Sequence, residues 1–186
     1  RLGYPGSGRE VFFNLQAPAQ KLKKHFVEDG LGMLRPLGIE AAFRQPKLFL
    51  SHGESAWAER RLERSGWNGQ SVVGMHPGAH YWTQRWPERY YSELIERLQQ
   101  EESLWVVLFG SQGDLFVIEK ILRNLRKPPM VYLSDDLRRF AAMAAACRVF
   151  VCNNSGPLHL AGALEVPTIS FMGPTVKHRW HPVGTN

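Results

Sequence analysis

RVFVCNNSGPLHLAGALEVPTISF, Arg148 to Phe171, holds one full repeat of the architecture. RVFVC is short, apolar and rich in β-branched and aromatic residues, so it reads as a buried strand. Asn153, Asn154, Ser155, Gly156 and Pro157 stop it with small polar and turn-forming groups. The chain then turns apolar again through Leu164, as a helix opened by that cluster. PTISF, Pro167 to Phe171, reads as a second strand. Strand, helix and strand joined by short polar loops make a parallel crossover unit.

Toward the N-terminus the alternation repeats. SVVGMH (71–76), LWVVLF (104–109) and MVYL (130–133) read as further strands. Pro87 suits the first turn of a helix in which Tyr90, Tyr91, Leu94, Ile95 and Leu98 share one face. Asp114 is placed to cap a helix with Ile118, Ile121, Leu122 and Leu125 aligned. Ser134 or Asp136 is placed to cap another that runs through Cys147, with Leu137, Phe140, Ala141 and Ala144 inward. The pattern predicts an α/β fold: a doubly wound parallel sheet with helices on both faces and a ligand crevice outside the carboxyl ends of the strands. Residues 1–50 differ. HFVEDGLGMLRPLG reads as a helix ending near Gly38, QPKLFLS as a short extended stretch, and ESAWAERRLERSG as a charged helix. No complete strand–helix repeat precedes Ser71. The expected division is a domain tail plus linker over 1–50 and a ligand-binding domain over 51–186.

Composition narrows the classes. Of 186 residues, 44% are apolar and 22% charged, enough for a core and against global disorder. No apolar run approaches the roughly 18 residues of a membrane span. The chain opens on Arg1 with no charged n-region and apolar h-region, and reads as a cut inside a longer protein. The net charge of +6 favours anionic partners. The basic residues are dispersed and the aromatics form no stacking array, which argues against nucleic acid. Cys147 and Cys152 read as two buried thiols in a reducing compartment, not as a disulfide framework or a metal site.

Three loops should meet at one edge of the sheet: HPGAHYWTQRWP, GSQGD and NNSGPLH. A helix N-terminus offers unpaired N–H groups and partial positive charge, so a phosphate can bind there. Gly156, lacking Cβ, would let an oxygen approach the backbone. Ser155 adds a hydroxyl, and His159 lies one turn on, within reach of a second phosphate or a sugar hydroxyl. Arg85 offers a permanently charged planar fork suited to phosphate. Trp82 could stack on a base or wall off water, whereas Trp86 beside Pro87 reads as a core anchor. The same local pattern also fits Asn154 and Ser155 as plain helix caps and His159 as a satisfied imidazole. It has neither the glycine-lysine phosphate loop nor the three-glycine dinucleotide fingerprint.

HPGA…RWP, FGSQGD, NNSGPLHLAGAL and FMGPT…W, in this order, resemble the C-terminal half of glycosyltransferase family nine, over roughly Gly74 to Pro182. That family contains the ADP-heptose lipopolysaccharide heptosyltransferases. The opening GY….R and HFVEDGLGMLRPLG resemble the end of its N-terminal domain more loosely. The resemblance implies a GT-B architecture, two Rossmann-like domains facing a cleft, with the nucleotide-sugar donor on the C-terminal one. It implies inverting, metal-independent transfer of heptose from ADP-heptose to the lipid-A–core acceptor. It implies no cofactor, and a catalytic base in an N-terminal domain outside this chain, so that this chain alone would bind and not transfer. A cytoplasmic protein at the inner face of the inner membrane follows from the same resemblance. By position, Asn154, Ser155, Gly156, Leu158 and His159 would hold the donor diphosphate, with Gly78, Ala79, Gln84 and Arg85 against it. Gly110 would face the donor from the second loop and Ser134 would border ribose or base. Two positions depart from the family pattern: Gln84 stands where a lysine is usual, and Asn154 where an aspartate often stands. Both bear on donor pose or identity. Arg85 would take over part of the lost phosphate contact. A UDP-sugar enzyme of the same architecture and a binding module without chemistry are the alternatives.

Overall fold

A computed structural model describes residues 1–6, 8–17, 24–41 and 45–183. The chain forms two compact units: Arg1–Gln45 with Val176–His181, and Pro46–Thr175 with Pro182–Asn186. In the smaller unit, β1 (Leu2–Gly3) pairs in parallel with β2 (Leu15–Gln16). The helix expected to reach Gly38 is shorter. α1 spans Phe26–Gly32, and a separate 3-10 turn, Arg35–Leu37, ends on Gly38 with a left-handed φ of 71°. Two glycines, Gly30 and Gly32, weaken the helix where it stops. A one-turn helix, Lys177–Trp180, belongs to this unit rather than to the larger one. Its Arg179 makes a buried 2.9 Å ion pair with Asp29, and Trp180 stacks on Phe26 at 4.6 Å.

The larger unit opens with α2 (His52–Glu63), started by a capping box in which Ser51 and Glu54 satisfy each other's backbone N–H groups. Then follow β3 (Ser71–His76), α3 (Glu88–Leu98), β4 (Leu104–Gly110), α4 (Leu115–Arg123), β5 (Met130–Leu133), α5 (Leu137–Ala145), β6 (Val149–Asn153), α6 (Gly156–Ala163) and β7 (Thr168–Phe171). Each strand expected from the sequence is present. QPKLFLS forms no strand; Leu48 N–H donates to the carbonyl of Ala163 at 2.9 Å.

The sheet order is β5-β4-β3-β6-β7, and all neighbours are parallel. The chain winds outward from β3 to β5, then returns across the sheet to β6. Its direction of winding therefore reverses between β3 and β6, where such sheets open a crevice. Side chains alternate between two cores because strand periodicity is two. Val107, Phe109, Phe150 and Cys152 face one core with α2, α5 and α6. Val106, Leu108, Val151 and Met75 face the other with α3 and α4. Gly74 sits where a Cβ would come within 2.6 Å of Phe150, so the two central strands can carry that ring only because the side chain is missing. Cys147 and Cys152 are free and buried in the first core, where burial pushes the Cys152 thiol up to about 12. Leu137, expected inward, is 67% exposed.

Candidate functional site

The carboxyl ends of β3, β4, β5 and β6 surround a cleft of about 830 Å³. Six of the residues singled out in the sequence line it: Ala79, Arg85, Ser134, Ser155, Gly156 and His159. The loops bring these together because all four strands run the same way and end at the same edge.

The α6 end of the cleft sets a helix N-terminus beside Arg85. Ser155 is the residue before the helix, and its side chain does not cap it; its hydroxyl turns back to the carbonyl of Asn153 at 3.3 Å. The plain-cap reading of Ser155 is therefore not what the structure has. Pro157 lacks an N–H, Gly156 is exposed, and no Cβ placed on Gly156 would meet anything within 4 Å. Arg85 fixes its fork on the backbone: Nε and Nη2 donate to the carbonyl of Ala79 at 3.2 and 3.0 Å. It is the one arginine, with no lysine, among the described residues that line the cleft.

The other five expected residues lie behind the wall. Gln84 points away, donating from Nε2 to Thr175 Oγ1 at 3.1 Å, because the loop at Gly173 packs on the Gln84 backbone. Gly78 and Gly110 are spacers. A Cβ on Gly78 would run into the Asp114 carboxylate, and one on Gly110 would meet Ile118 at 2.5 Å. Asn154 is buried, and its N–H donates to Phe171 O at 3.1 Å, extending the β6–β7 pairing. Leu158 is fully buried in the core under α6. Trp86 is the core anchor expected of it, stacked on Phe171 at 4.2 Å, while Trp82 is 79% exposed.

Sequence reasoning missed the opposite end. His76, the last residue of β3, is buried in the cleft floor with its Nε2 3.6 Å from Asp114 Oδ2 and its Nδ1 without a partner. Asp114 was expected to cap α4. Instead it faces back, accepting from Ser111 N–H at 2.9 Å and Ser111 Oγ at 2.6 Å. Burial pushes the Asp114 carboxyl up, but His76 and Ser111 outweigh it and hold the group below the usual carboxylate range. Asp136, not Ser134, caps α5, through Oδ1 to the N–H groups of Arg138 and Arg139. Leu137, Phe140 and Leu160 supply an apolar wall, with Asp135 at its rim. The place of His76 at a strand's carboxyl end was the available signal. His76 and His80 stand four apart, but among the described residues no three His, Cys, Asp or Glu are grouped to hold a metal ion.

The depressed Asp114 carboxyl has a consequence for stability. Its contribution is present above the ordinary aspartate value of about 3.9 and lost as pH falls through the lower folded value. Asp114→Asn should therefore cost stability at pH 7, and the gap from wild type should begin to narrow below about pH 4. Denaturation at pH 3, 5 and 7 measures this. A gap that does not change with pH would mean the carboxylate is not held ionised.

A five-stranded parallel sheet with a reversal between β3 and β6, and a cleft with a cationic and helix-terminal end beside an apolar end, define a Rossmann-like ligand-binding domain. The profile of glycosyltransferase family 9 (heptosyltransferase) matches residues 1–186, and the chain belongs to that family. Lipopolysaccharide heptosyltransferase 2 of Escherichia coli K12 is 32% identical over 136 residues, covering 70% of this chain and 38% of that protein. The structure of E. coli ADP-heptose lps heptosyltransferase II superposes with a TM-score of 0.82 at 26% identity, covering 100% of this chain and 59% of that one. A glycosyl transferase family 9 structure from Veillonella parvula gives 0.85 at 18% identity, covering 98% of this chain and 54% of that one, and supports the fold alone. The fold is thus GT-B-like, and the chain spans about half the length of these relatives.

Proposed function

We propose that this chain is the donor-binding half of a glycosyltransferase that moves heptose from ADP-heptose onto the lipopolysaccharide inner core. The observation that carries the reading is the cleft's two-ended chemistry. Arg85 and the open Gly156 end of α6 suit a diphosphate, and Phe140, Leu137 and Leu160 suit a nucleoside face beside the hydroxyl and carboxylate groups of Ser134 and Asp135. The donor is taken from the E. coli relative, which is described as an ADP-heptose enzyme.

In the reaction, an acceptor hydroxyl oxygen bonds to the anomeric carbon as the bond to the diphosphate breaks. The nucleoside diphosphate leaves with the electron pair, and the hydroxyl proton passes to a base expected outside this chain. The task of these residues is to meet the charge that grows on the leaving diphosphate. Donors already aimed at developing charge lower the barrier, by about 3 kcal/mol for one such group. No cofactor or metal enters this scheme. The protein would work at the cytoplasmic face of the inner membrane, where a lipid-linked acceptor is made.

The test is calorimetric titration of the chain with ADP and UDP. ADP should bind in preference to UDP, and Ser155→Ala, which takes a hydroxyl from the diphosphate end, should weaken ADP several-fold. A preference for UDP would keep the domain and change the donor. Equal binding of ADP to wild type and Ser155→Ala would remove Ser155 from the site.

A further inference from the structure

Asn153 is fully buried and does not line the cleft, yet it joins the cleft's two anion-facing walls. Its Oδ1 accepts from Trp86 N–H at 2.9 Å and from Tyr91 O–H at 3.3 Å. Its Nδ2 donates to the carbonyls of Pro77 at 2.8 Å and Gly78 at 3.4 Å. One amide thus grips both ends of the loop between β3 and α3. That loop carries Ala79, His80 and Arg85 on the cleft side. The backbone of the same Asn153 ends β6, two residues before the Ser155–Gly156 turn that opens α6.

The chemistry of the grip is specific to a primary amide. It needs an acceptor for a backbone N–H on one side and a donor for backbone carbonyls on the other, from one short planar group. Aspartate offers only acceptors when ionised, and leucine of similar size offers neither. A surface hydrogen bond could be exchanged for water, but the bonds to Pro77, Gly78 and Tyr91 are buried, so losing one strands a polar group. The Arg85 fork on Ala79 lies within the loop itself, and the Gln84–Thr175 hydrogen bond and the Trp86–Phe171 stack hold its far end toward β7, whereas among the described residues Asn153 alone ties both ends of the loop to the strand that leads into α6.

We infer that Asn153 is a positioning residue for donor binding: it sets the distance between the Arg85 wall and the Gly156 end of α6, and so the fit of the diphosphate. The inference rests on the diphosphate reading of the cleft. Its signature is selective. The phosphates touch both walls that Asn153 joins, whereas the nucleoside end is built on β4, β5 and α5, which Asn153 does not touch. Asn153→Asp should therefore lower affinity for ADP by about tenfold or more and leave affinity for adenosine within about twofold.

The experiment is titration of wild type and Asn153→Asp with ADP and with adenosine, beside a thermal melt of each. Tyr91→Phe, which keeps the ring and removes the hydroxyl shared between Asn153 Oδ1 and the His76 carbonyl, serves if Asn153→Asp does not fold, and should lower the ADP-to-adenosine preference by about two- to fivefold. A variant with reduced preference for ADP, with adenosine binding kept, supports the inference. A variant that melts earlier but keeps the wild-type preference overturns it, since Asn153 would then be structural only. If wild type itself shows no preference for ADP over adenosine, the diphosphate reading fails first and the inference falls with it.

Discussion

Arg85→Ala is expected to weaken ADP binding by roughly tenfold to a hundredfold. Hydrogen bonds to charged groups contribute about 1.5–3 kcal/mol each, and one decade of affinity is about 1.4 kcal/mol. Arg85 carries this much because nothing replaces it. Gln84, where the family pattern places a lysine, is turned out to Thr175. The cleft histidines His76, His80 and His159 carry a full charge only when protonated, whereas a guanidinium is charged at every working pH. Its Nε and Nη2 already hold the Ala79 carbonyl, so the guanidinium is fixed in place before any ligand arrives, with its outer N–H groups left to donate. Arg85→Lys should recover part of the loss, because an ammonium keeps the charge and loses the planar fork. Titration at low and moderate salt reads both effects. Unchanged ADP affinity in Arg85→Ala would mean that the anion sits elsewhere.

The largest effect on stability is expected at Phe150. Its ring is fully buried on β6, edge-on to Phe109 at 5.1 Å and to Phe140 at 6.3 Å. Phe150→Ala should cost about 3–5 kcal/mol, from lost burial plus the cavity left behind. Collapse into that cavity is restricted, because Phe150 packs over Gly74, which has no side chain to move in. Domains of this kind are stable by about 5–15 kcal/mol, so the loss is a large share of the whole. Phe140 also lines the cleft, so a partly folded variant should lose nucleotide affinity as well. Denaturant unfolding measures it, and a cost under about 1 kcal/mol would show that this core repacks freely.

Much of the fold was legible because its strands are short apolar runs cut off by polar loops. All five strands of the larger sheet were read from that pattern, and the parallel order follows from alternation with helices, whereas the two-residue β1 and β2 are too short to carry it. The misreadings have local causes. Leu137 sits in the first turn of α5, where the helical stripe has not yet turned toward the core, and it faces the cleft instead. Asp114 has the position of a cap, but a buried imidazole and a serine offered better partners than a helix N-terminus. Arg179 belongs with Asp29, far away in sequence, and no periodicity announces such a pair.

At the site, residues exposed by a loop could be seen from sequence, and those acting through the wall could not. Ser155, Gly156, His159 and Arg85 were recognisable by their chemistry in loops at strand ends. Gly78 and Gly110 were read as ligand neighbours, but they make room for Asp114 and Ile118. Asn153 reads as one more turn residue, and only its four partners, at 62 to 76 residues' separation, show what it holds.

The most direct measurement is a crystal structure of the chain grown with ADP. The diphosphate should lie within hydrogen-bond distance of the Ser155–Gly156 turn and the Arg85 guanidinium, with the adenosine along Phe140 and Leu137. ADP seated away from the carboxyl ends of β3 and β6, or a cleft that stays empty at saturating ADP, would contradict the donor-site assignment.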